Sequence, residues 1–253
     1  MIKVKSRLYL CFIFLSIYCL NAVGQVSKSA DSSKCKPYGY LKLNVGFGLP
    51  LGNGFFSAIT TGYYGQAVTG YTINFSAAYP IAKSYWGIMV SAGYAVNGFD
   101  ASGFPIGVAP TITGNYKTYS ILGGGYYALP VKNSVFDFRF LIGPLFFNYP
   151  GVIGNDYRMG NPVGLGAVNN TWNVSPGNTL SLAYDIGVGW RTLITSKLLF
   201  SINLDVCFSN TEGLMTHDVQ YTNNYTGQVS NEVSYNSLNI VLLNIGVGLG
   251  YKL

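Results

Sequence analysis

The amino-acid sequence predicts an all-β fold, an eight-stranded antiparallel up-and-down transmembrane β-barrel, and three observations carry that expectation. Charged residues make up 9% of the chain and aromatics 15%, against a charged share of about 25% in ordinary globular domains, so a water-facing surface is hard to build from it. Eight segments alternate large apolar residues with small or polar ones at a period of two, the repeat of a strand with two unlike faces. The connections between them alternate long and short, as in a barrel with short turns at one membrane surface and longer loops at the other.

The segments run in order. In 39–49, Leu41, Leu43, Val45, Phe47 and Leu49 oppose Lys42, Asn44, Gly46 and Gly48. In 69–79, Tyr71, Ile73, Phe75 and Tyr79 oppose Thr72, Asn74 and Ser76, and in 85–96 Trp86, Ile88, Val90 and Tyr94 oppose Gly87, Ser91 and Gly93. The fourth, 116–128 (YKTYSILGGGYYA), carries apolar residues on both faces, so its facing stays unassigned. The fifth, 136–147 (FDFRFLIGPLFF), puts Phe136, Phe138, Phe140 and Ile142 on one side and Asp137, Arg139 and Leu141 on the other. Pro144 has no N–H to give a ladder, so a bulge or an end of pairing is expected there. In 179–192 Leu180, Leu182, Tyr184, Ile186, Val188 and Trp190 oppose Asp185, Gly187, Gly189 and Arg191. In 198–208 Phe200, Ile202, Leu204 and Phe208 oppose Ser201, Asn203, Asp205 and Cys207, and in 238–253 Ile245, Val247, Leu249 and Tyr251 oppose Asn244, Gly246, Gly248 and Gly250.

Stretches 50–68, 97–115, 148–178 and 209–237 read as long loops, and 80–84, 129–134 and 193–197 as short turns. With eight strands, both termini fall on the short-turn side. No apolar run after the first twenty residues reaches the roughly 18 residues of a helical span. Without helical spans, a membrane protein must close into a barrel, because hydrocarbon offers backbone groups no other partner.

The N-terminus supplies the compartment. Lys3, Lys5 and Arg7 precede the apolar run LYLCFIFLSIYCL, and Ala22 and Gly24 give a small-x-small pattern before Gln25, the layout of a cleavable secretory signal. The chain therefore divides into a signal at 1–24, a polar leader at 25–37 (QVSKSADSSKCKP) in the periplasm, and a barrel at 38–253. A membrane anchor would need a longer run, and Ile17 and Tyr18 are too bulky to precede a lipidated Cys19. Cys11 and Cys19 leave with the signal, and Cys35 and Cys207 are too few and too far apart for a disulfide framework or a metal cluster. Removing Lys3, Lys5 and Arg7 takes the net charge of +6 to +3 (6 − 3). No Lys/Arg cluster awaits a phosphate backbone, which excludes nucleic acid.

The second face decides which side meets lipid. In a soluble sandwich it would be rich in charge, whereas here it is Gly, Ala, Ser and Asn, which suits the narrow interior of eight strands. The large residues then face hydrocarbon, with Tyr79, Trp86, Trp190 and Tyr251 forming an aromatic girdle near the short turns. Tyr71, Phe47 and Phe208 stand toward the other end. Lys42, Asp137, Arg139, Asp185, Arg191 and Asp205 face inward, with Lys252 beside them, as an ionic network filling the lumen or as a selectivity lining. A soluble lipocalin-like carrier would need the large apolar face turned inward instead.

On these residues, 38–253 resembles the small eight-stranded outer-membrane β-barrels of Gram-negative bacteria, the OmpA/OmpX-like group, in its barrel-only members. The end GVGLGYKL is similar to that group's C-terminal assembly signal, with Gly248 third, Tyr251 sixth and a final hydrophobic Leu253 where an aromatic is more common. The resemblance implies an outer-membrane location, with outer-membrane lipids and the barrel assembly machinery as partners and an extracellular ligand met through the loops. It implies no cofactor and no metal.

Two chemical motifs are weighed against this. The glycines of GVGLGYKL lack the following helix that a phosphate-cradling loop requires, and read as inward strand glycines. His217, the single histidine, lies beside Asp218 with Thr216 and Ser209 near in sequence, the ingredients of a lipid hydrolase or acyltransferase. No G-x-S-x-G nucleophile motif accompanies them, so His217 reads as a solvated loop residue and the chain as no enzyme. A structural or surface-interaction role is expected, with a narrow porin-like channel as the alternative.

Overall fold

The computed structural model describes residues 38–51, 66–82, 84–100, 111–131, 133–158, 168–174, 176–223 and 229–253. The expected signal, the leader and Cys35 lie outside these residues. Eight strands make the barrel: β1 (Tyr40–Pro50), β2 (Gly70–Pro80), β3 (Trp86–Asn97), β4 (Tyr116–Val131), β5 (Ser134–Tyr149), β6 (Gly177–Leu193), β7 (Leu198–Asn223) and β8 (Val229–Lys252). Each pairs antiparallel with its sequence neighbours. β1 then closes the ring on β8, from Tyr40 opposite Lys252 to Pro50 opposite Leu242. The chain forms a closed eight-stranded antiparallel barrel, which leaves no free edge over the ring.

The period-two pattern fixes the facing. Along β5, Phe136, Phe138, Phe140, Ile142 and Phe146 are exposed on the outside while Asp137, Arg139, Leu141, Leu145 and Phe147 are buried in the lumen. β4, ambiguous in sequence, turns Tyr116, Thr118, Leu122, Tyr126 and Ala128 inward and Tyr119 and Ile121 outward. Tyr71 and Tyr79 mark the two ends of the outer apolar face of β2, eight positions apart. That is about 26 Å along a strand and about 20 Å in height at a tilt of about 40°, close to the apolar band of a membrane barrel.

Pro144 does not end the strand, and the interruption of pairing expected there is confined to one neighbour. It stays opposite Leu182 of β6. On the β4 side pairing lapses between Ser120–Leu145 and Gly123–Ile142 and resumes in the same register. Successive residues of a strand direct their backbone groups to alternate neighbours, so a proline removes a donor toward one neighbour only. The short turns tie themselves together: the Thr195 hydroxyl accepts from Leu198 N at 2.9 Å, and Ser84 N donates to Ile81 O at 2.8 Å. Ala82 takes φ 48°, the left-handed value such a turn demands.

The long connections also differ from the expectation. Stretch 209–237 is mostly strand, because β7 and β8 stay paired from Leu198–Tyr251 to Thr222–Val229, with a bulge between Thr211 and Met215. Val168–Val174 pairs with β7, Gly151–Arg158 with Val168–Val174, and Thr111–Thr113 with Gly151–Arg158. A sheet of five strands thus continues beyond the end of the barrel opposite the short turns. Gln66–Ala67 and Phe99–Asp100 add a two-stranded piece.

Candidate functional site

The lumen is built from the inward positions of all eight strands. At the short-turn end, Arg191 of β6 lies over the rings of Tyr40 at 4.2 Å and Tyr38 at 4.7 Å. Its Nε is 3.2 Å from Asp137 Oδ2 of β5, an ion pair by distance without an aligned hydrogen bond. The Tyr40 hydroxyl donates to the same Asp137 oxygen at 3.4 Å, and Tyr126 meets Tyr40 edge-on at 6.3 Å. Lys252 Nζ covers Tyr38 at 4.8 Å. A guanidinium between aromatic faces, with a carboxylate beside it, is held by both quadrupole and charge.

One storey outward, Arg139 Nε of β5 donates to Asp205 Oδ1 of β7 at 2.6 Å. The strand between them, β6, presents Gly187 and Gly189 at that level, and a Cβ at Gly187 would collide with the Asp205 carboxylate and come within 2.6 Å of Arg139 Nε. Glycine here is a requirement of close approach. Lys42 Nζ of β1 donates to Asn203 Oδ1 of β7 at 2.6 Å, and Asn203 Nδ2 donates to Asn44 Oδ1 at 2.8 Å. These bonds cross β8 where it offers Gly246, Gly248 and Gly250, and a Cβ at Gly248 would strike Asn44. Ser201 donates to Asn44 Oδ1 at 3.1 Å, and Asn74 Nδ2 donates to Ser91 Oγ at 2.8 Å. Beside them lies a cavity of about 60 Å³ whose lining includes Lys42, Arg139, Asp185, Asn203, Asp205 and Asn244. That is room for a few water molecules.

Farther out the lumen becomes aromatic. Phe99 stacks on Tyr116 at 5.8 Å, Tyr116 on Phe147 at 6.1 Å, and Phe147 lies 6.4 Å from Tyr149. Tyr40 and Leu199 at one end and Phe147 at the other are 0% exposed, so water does not touch them and side chains occupy both ends of the lumen.

The inward charges named from sequence are all lumenal, but they separate into two ion pairs, Arg139–Asp205 and Arg191–Asp137. Lys42 is held by an amide, and buried Asp185 forms no ion pair among the described residues. The tyrosines of the inner end were missed as site residues, although Tyr40 shares the parity of Lys42, which would have turned it inward. Cys207 is a free, buried thiol.

On the outside, Tyr79, Trp86 and Tyr251 are exposed near the short turns, and Trp190 packs on Phe200 at 6.2 Å. Trp86 lies 4.9 Å from Tyr127, and Lys197 reaches over Tyr251 at 5.6 Å. A hydrogen bond to the Tyr251 hydroxyl raises the pKa of Lys197. Gly248 is buried in the lumen, while Leu253 points outward beside Tyr251. A closed strand ring wearing an unbroken apolar exterior has one stable surrounding, the hydrocarbon of a bilayer. The chain is a small eight-stranded transmembrane β-barrel.

No family model matches the chain, and no curated protein matches it. Among solved structures it is similar to Neisserial surface protein A, at 11% identity and TM-score 0.41, covering 87% of this chain and 100% of that one. It is also similar to Ail, the attachment invasion locus protein of Yersinia pestis, at 11% identity and TM-score 0.40, over 86% and 100%. A major outer membrane protein from Thermus thermophilus gives 12% identity and TM-score 0.44 over 84% and 99%. The architecture stated above rests on the closed ring of pairings and the outer face, independently of these.

His217, expected in a loop, lies within β7, its backbone opposite Ser234 on one side and Val174 on the other. The Ser209 hydroxyl is taken up by Ser181 at 2.6 Å and by the Leu182 carbonyl at 2.9 Å.

Proposed function

We propose that this protein is an integral barrel of the Gram-negative outer membrane that displays a β-sheet on the cell exterior for contact with a partner, and that it neither conducts nor catalyses. The observation that carries this reading is strand length. β7 has 26 residues and β8 has 24, where about 9–11 residues cross a bilayer. More than half of each strand therefore stands outside the membrane, paired into a sheet that contributes nothing to the ring. The side chains filling the lumen argue in the same direction, since a narrow pore requires water along its whole length. The girdle near the short turns and the end Gly248–Tyr251–Leu253 fit insertion by the barrel assembly machinery with the short turns in the periplasm. Asp218 and His217 in a paired strand, with Ser209 committed to Ser181, give the hydrolase reading no assembled nucleophile.

The test is topological. Asn231→Cys should react with a membrane-impermeant maleimide on intact cells, and the parent protein, with Cys207 buried and Cys35 in the periplasmic leader, should not. Absence of labelling would reverse the orientation. Planar-bilayer recording should show no stable open current.

A further inference from the structure

The lipid-facing side of the ring carries one charge. Tyr116 and Thr118 of β4 are buried in the lumen while Tyr119 and Ile121 are exposed, so parity turns Lys117 outward. Among the described residues it is the single charged side chain at the outward positions of the eight strands. Val96 lies opposite both Tyr71 and Lys117, which sets the ammonium at the edge of the apolar face away from the short turns. Lys117 is half-buried and forms no hydrogen bond or ion pair among the described residues. Asn148 of β5 stands opposite Lys117, and Asn178 of β6 opposite Asn148, so two primary amides continue its row. One step nearer the membrane centre the same strands carry Tyr119, Phe146 and Leu180, all exposed. Farther along β4 the outward side chains vanish: a Cβ at Gly123 would meet nothing within 4 Å, and one at Gly125 only Gly87 O at 3.8 Å. Ile88 and Val90 of β3 flank these glycines on one side and Phe140 and Ile142 of β5 on the other, leaving a trough one strand wide.

We propose that Lys117 heads a site for one phosphorylated glycolipid of the outer leaflet, with the phosphate on its ammonium and an acyl chain in the trough over Gly123 and Gly125. The inference rests on the reading that the short turns face the periplasm, and it adds a partner at the barrel wall. Charge complementarity carries it. An ammonium at the hydrocarbon edge with no anion on its own chain takes its counter-charge from outside, and the group beside it there is a lipid head. Phosphate answers it with several acceptor oxygens. The amides select among phosphate-bearing heads, since each brings two donors and an acceptor. Sugar hydroxyls satisfy both kinds of group, whereas a phosphodiester has no donor for the amide carbonyls. Depth agrees with the tail. From Lys117 to Gly123 along β4 is about 20 Å of strand and about 16 Å of height at a tilt of about 40°. That is about half of the roughly 30 Å hydrocarbon core, the reach of a chain belonging to one leaflet. The walls of the trough stand two strand spacings apart, about 9.6 Å between backbones, and their side chains leave room for a single chain.

Native mass spectrometry of the purified protein, released from detergent micelles after titration with diphosphorylated lipid A, phosphatidylglycerol or phosphatidylcholine, tests this. Lipid A should add once per barrel and more tightly than the other two. Lys117→Gln should weaken that addition about tenfold or more, as loss of a charge-assisted hydrogen bond does, and Lys117→Arg should largely keep it. Gly123→Leu, which fills the trough, should weaken it by a smaller factor, and Lys197→Gln at the opposite end should leave it unchanged. Each variant is first shown to be a heat-modifiable folded barrel. Three outcomes overturn the proposal: lipid A held no better than phosphatidylcholine, phosphatidylglycerol held as tightly as lipid A, or Lys117→Gln binding lipid A like the wild type. The measurement in detergent is blind to the direction of insertion, which labelling at Asn231→Cys reports, so a reversed barrel and a wall that ignores lipid A are distinguished.

Discussion

Arg139 on β5 and Asp205 on β7 are joined at 2.6 Å across a strand that contributes only the glycines Gly187 and Gly189 beneath them. The bridge exists because β6 is empty at that height. Gly187→Ala should therefore lower stability by about 1–3 kcal/mol, the usual cost of forcing a methyl into filled space. Gly123→Ala is the matched control, since a Cβ there meets nothing within 4 Å, and it should leave stability within about 0.5 kcal/mol. Urea unfolding in phospholipid vesicles measures both. Equal effects would mean that the glycine serves the backbone rather than the ion pair.

The ion pair itself should be lopsided under mutation. Arg139→Ala leaves Asp205 and the unpaired Asp185 together in the lumen, and should cost about 3–5 kcal/mol, as breaking a buried pair does. Replacing both partners, Arg139→Leu with Asp205→Leu, should cost less than the sum of the two single changes. Ser201→Ala is a milder lumenal change but not an inert one, because its hydroxyl donates to Asn44 at 3.1 Å and accepts from Asn203 at 3.2 Å. About 1 kcal/mol is expected there. Additive single and double costs would rule out the coupling.

Conduction should require opening the lumen twice. Arg191 with Tyr38 and Tyr40 occupies one end, and Tyr116, Phe147 and Tyr149 occupy the other. In planar bilayers, Arg191→Ala and Phe147→Ala should each remain silent. The combined variant should give small openings through the polar middle storey. A stable current from either single variant would mean that the other end is already open to water.

What could be read from the amino-acid sequence follows from what a lipid-facing strand must look like. Phe136, Phe138 and Phe140 fix the facing of β5 by parity, and parity then turns Asp137 and Arg139 inward. It cannot say which inward groups meet, because that depends on side-chain reach and on which intervening residue is absent. Hence one expected network is two separate pairs, and Lys42 ends on Asn203. β4 defeats parity because Tyr116 and Tyr119 place rings on both sides. The strands beyond the ring carry a weaker form of the same signal, with Met215, Val219 and Tyr221 alternating with Thr216, Asp218, Gln220 and Thr222, and Val229, Val233 and Tyr235 with Ser230, Glu232, Ser234 and Asn236. The many polar residues between them read as a hydrated loop, whereas the backbones pair through Thr222–Val229.

The barrel and the sheet should be separable. The ring closes between β1 and β8 over Tyr40–Lys252 to Pro50–Leu242, and β7 keeps its β6 partner from Leu193–Leu199 to Ala183–Ser209. All of these pairings lie on the membrane side of the bulge between Thr211 and Met215. Replacing residues 212–237 with a two-residue Asn-Gly turn joins Thr211 to Leu238, already opposite one another, in the hairpin geometry such a turn favours. The shortened protein should fold into a heat-modifiable barrel, with a urea transition displaced by no more than about 1 kcal/mol. It should also lose every contact made through the exterior sheet. If the folded band disappears from the gel, the outer half of the β7–β8 hairpin is needed to close the ring, and display and scaffold are one folding unit.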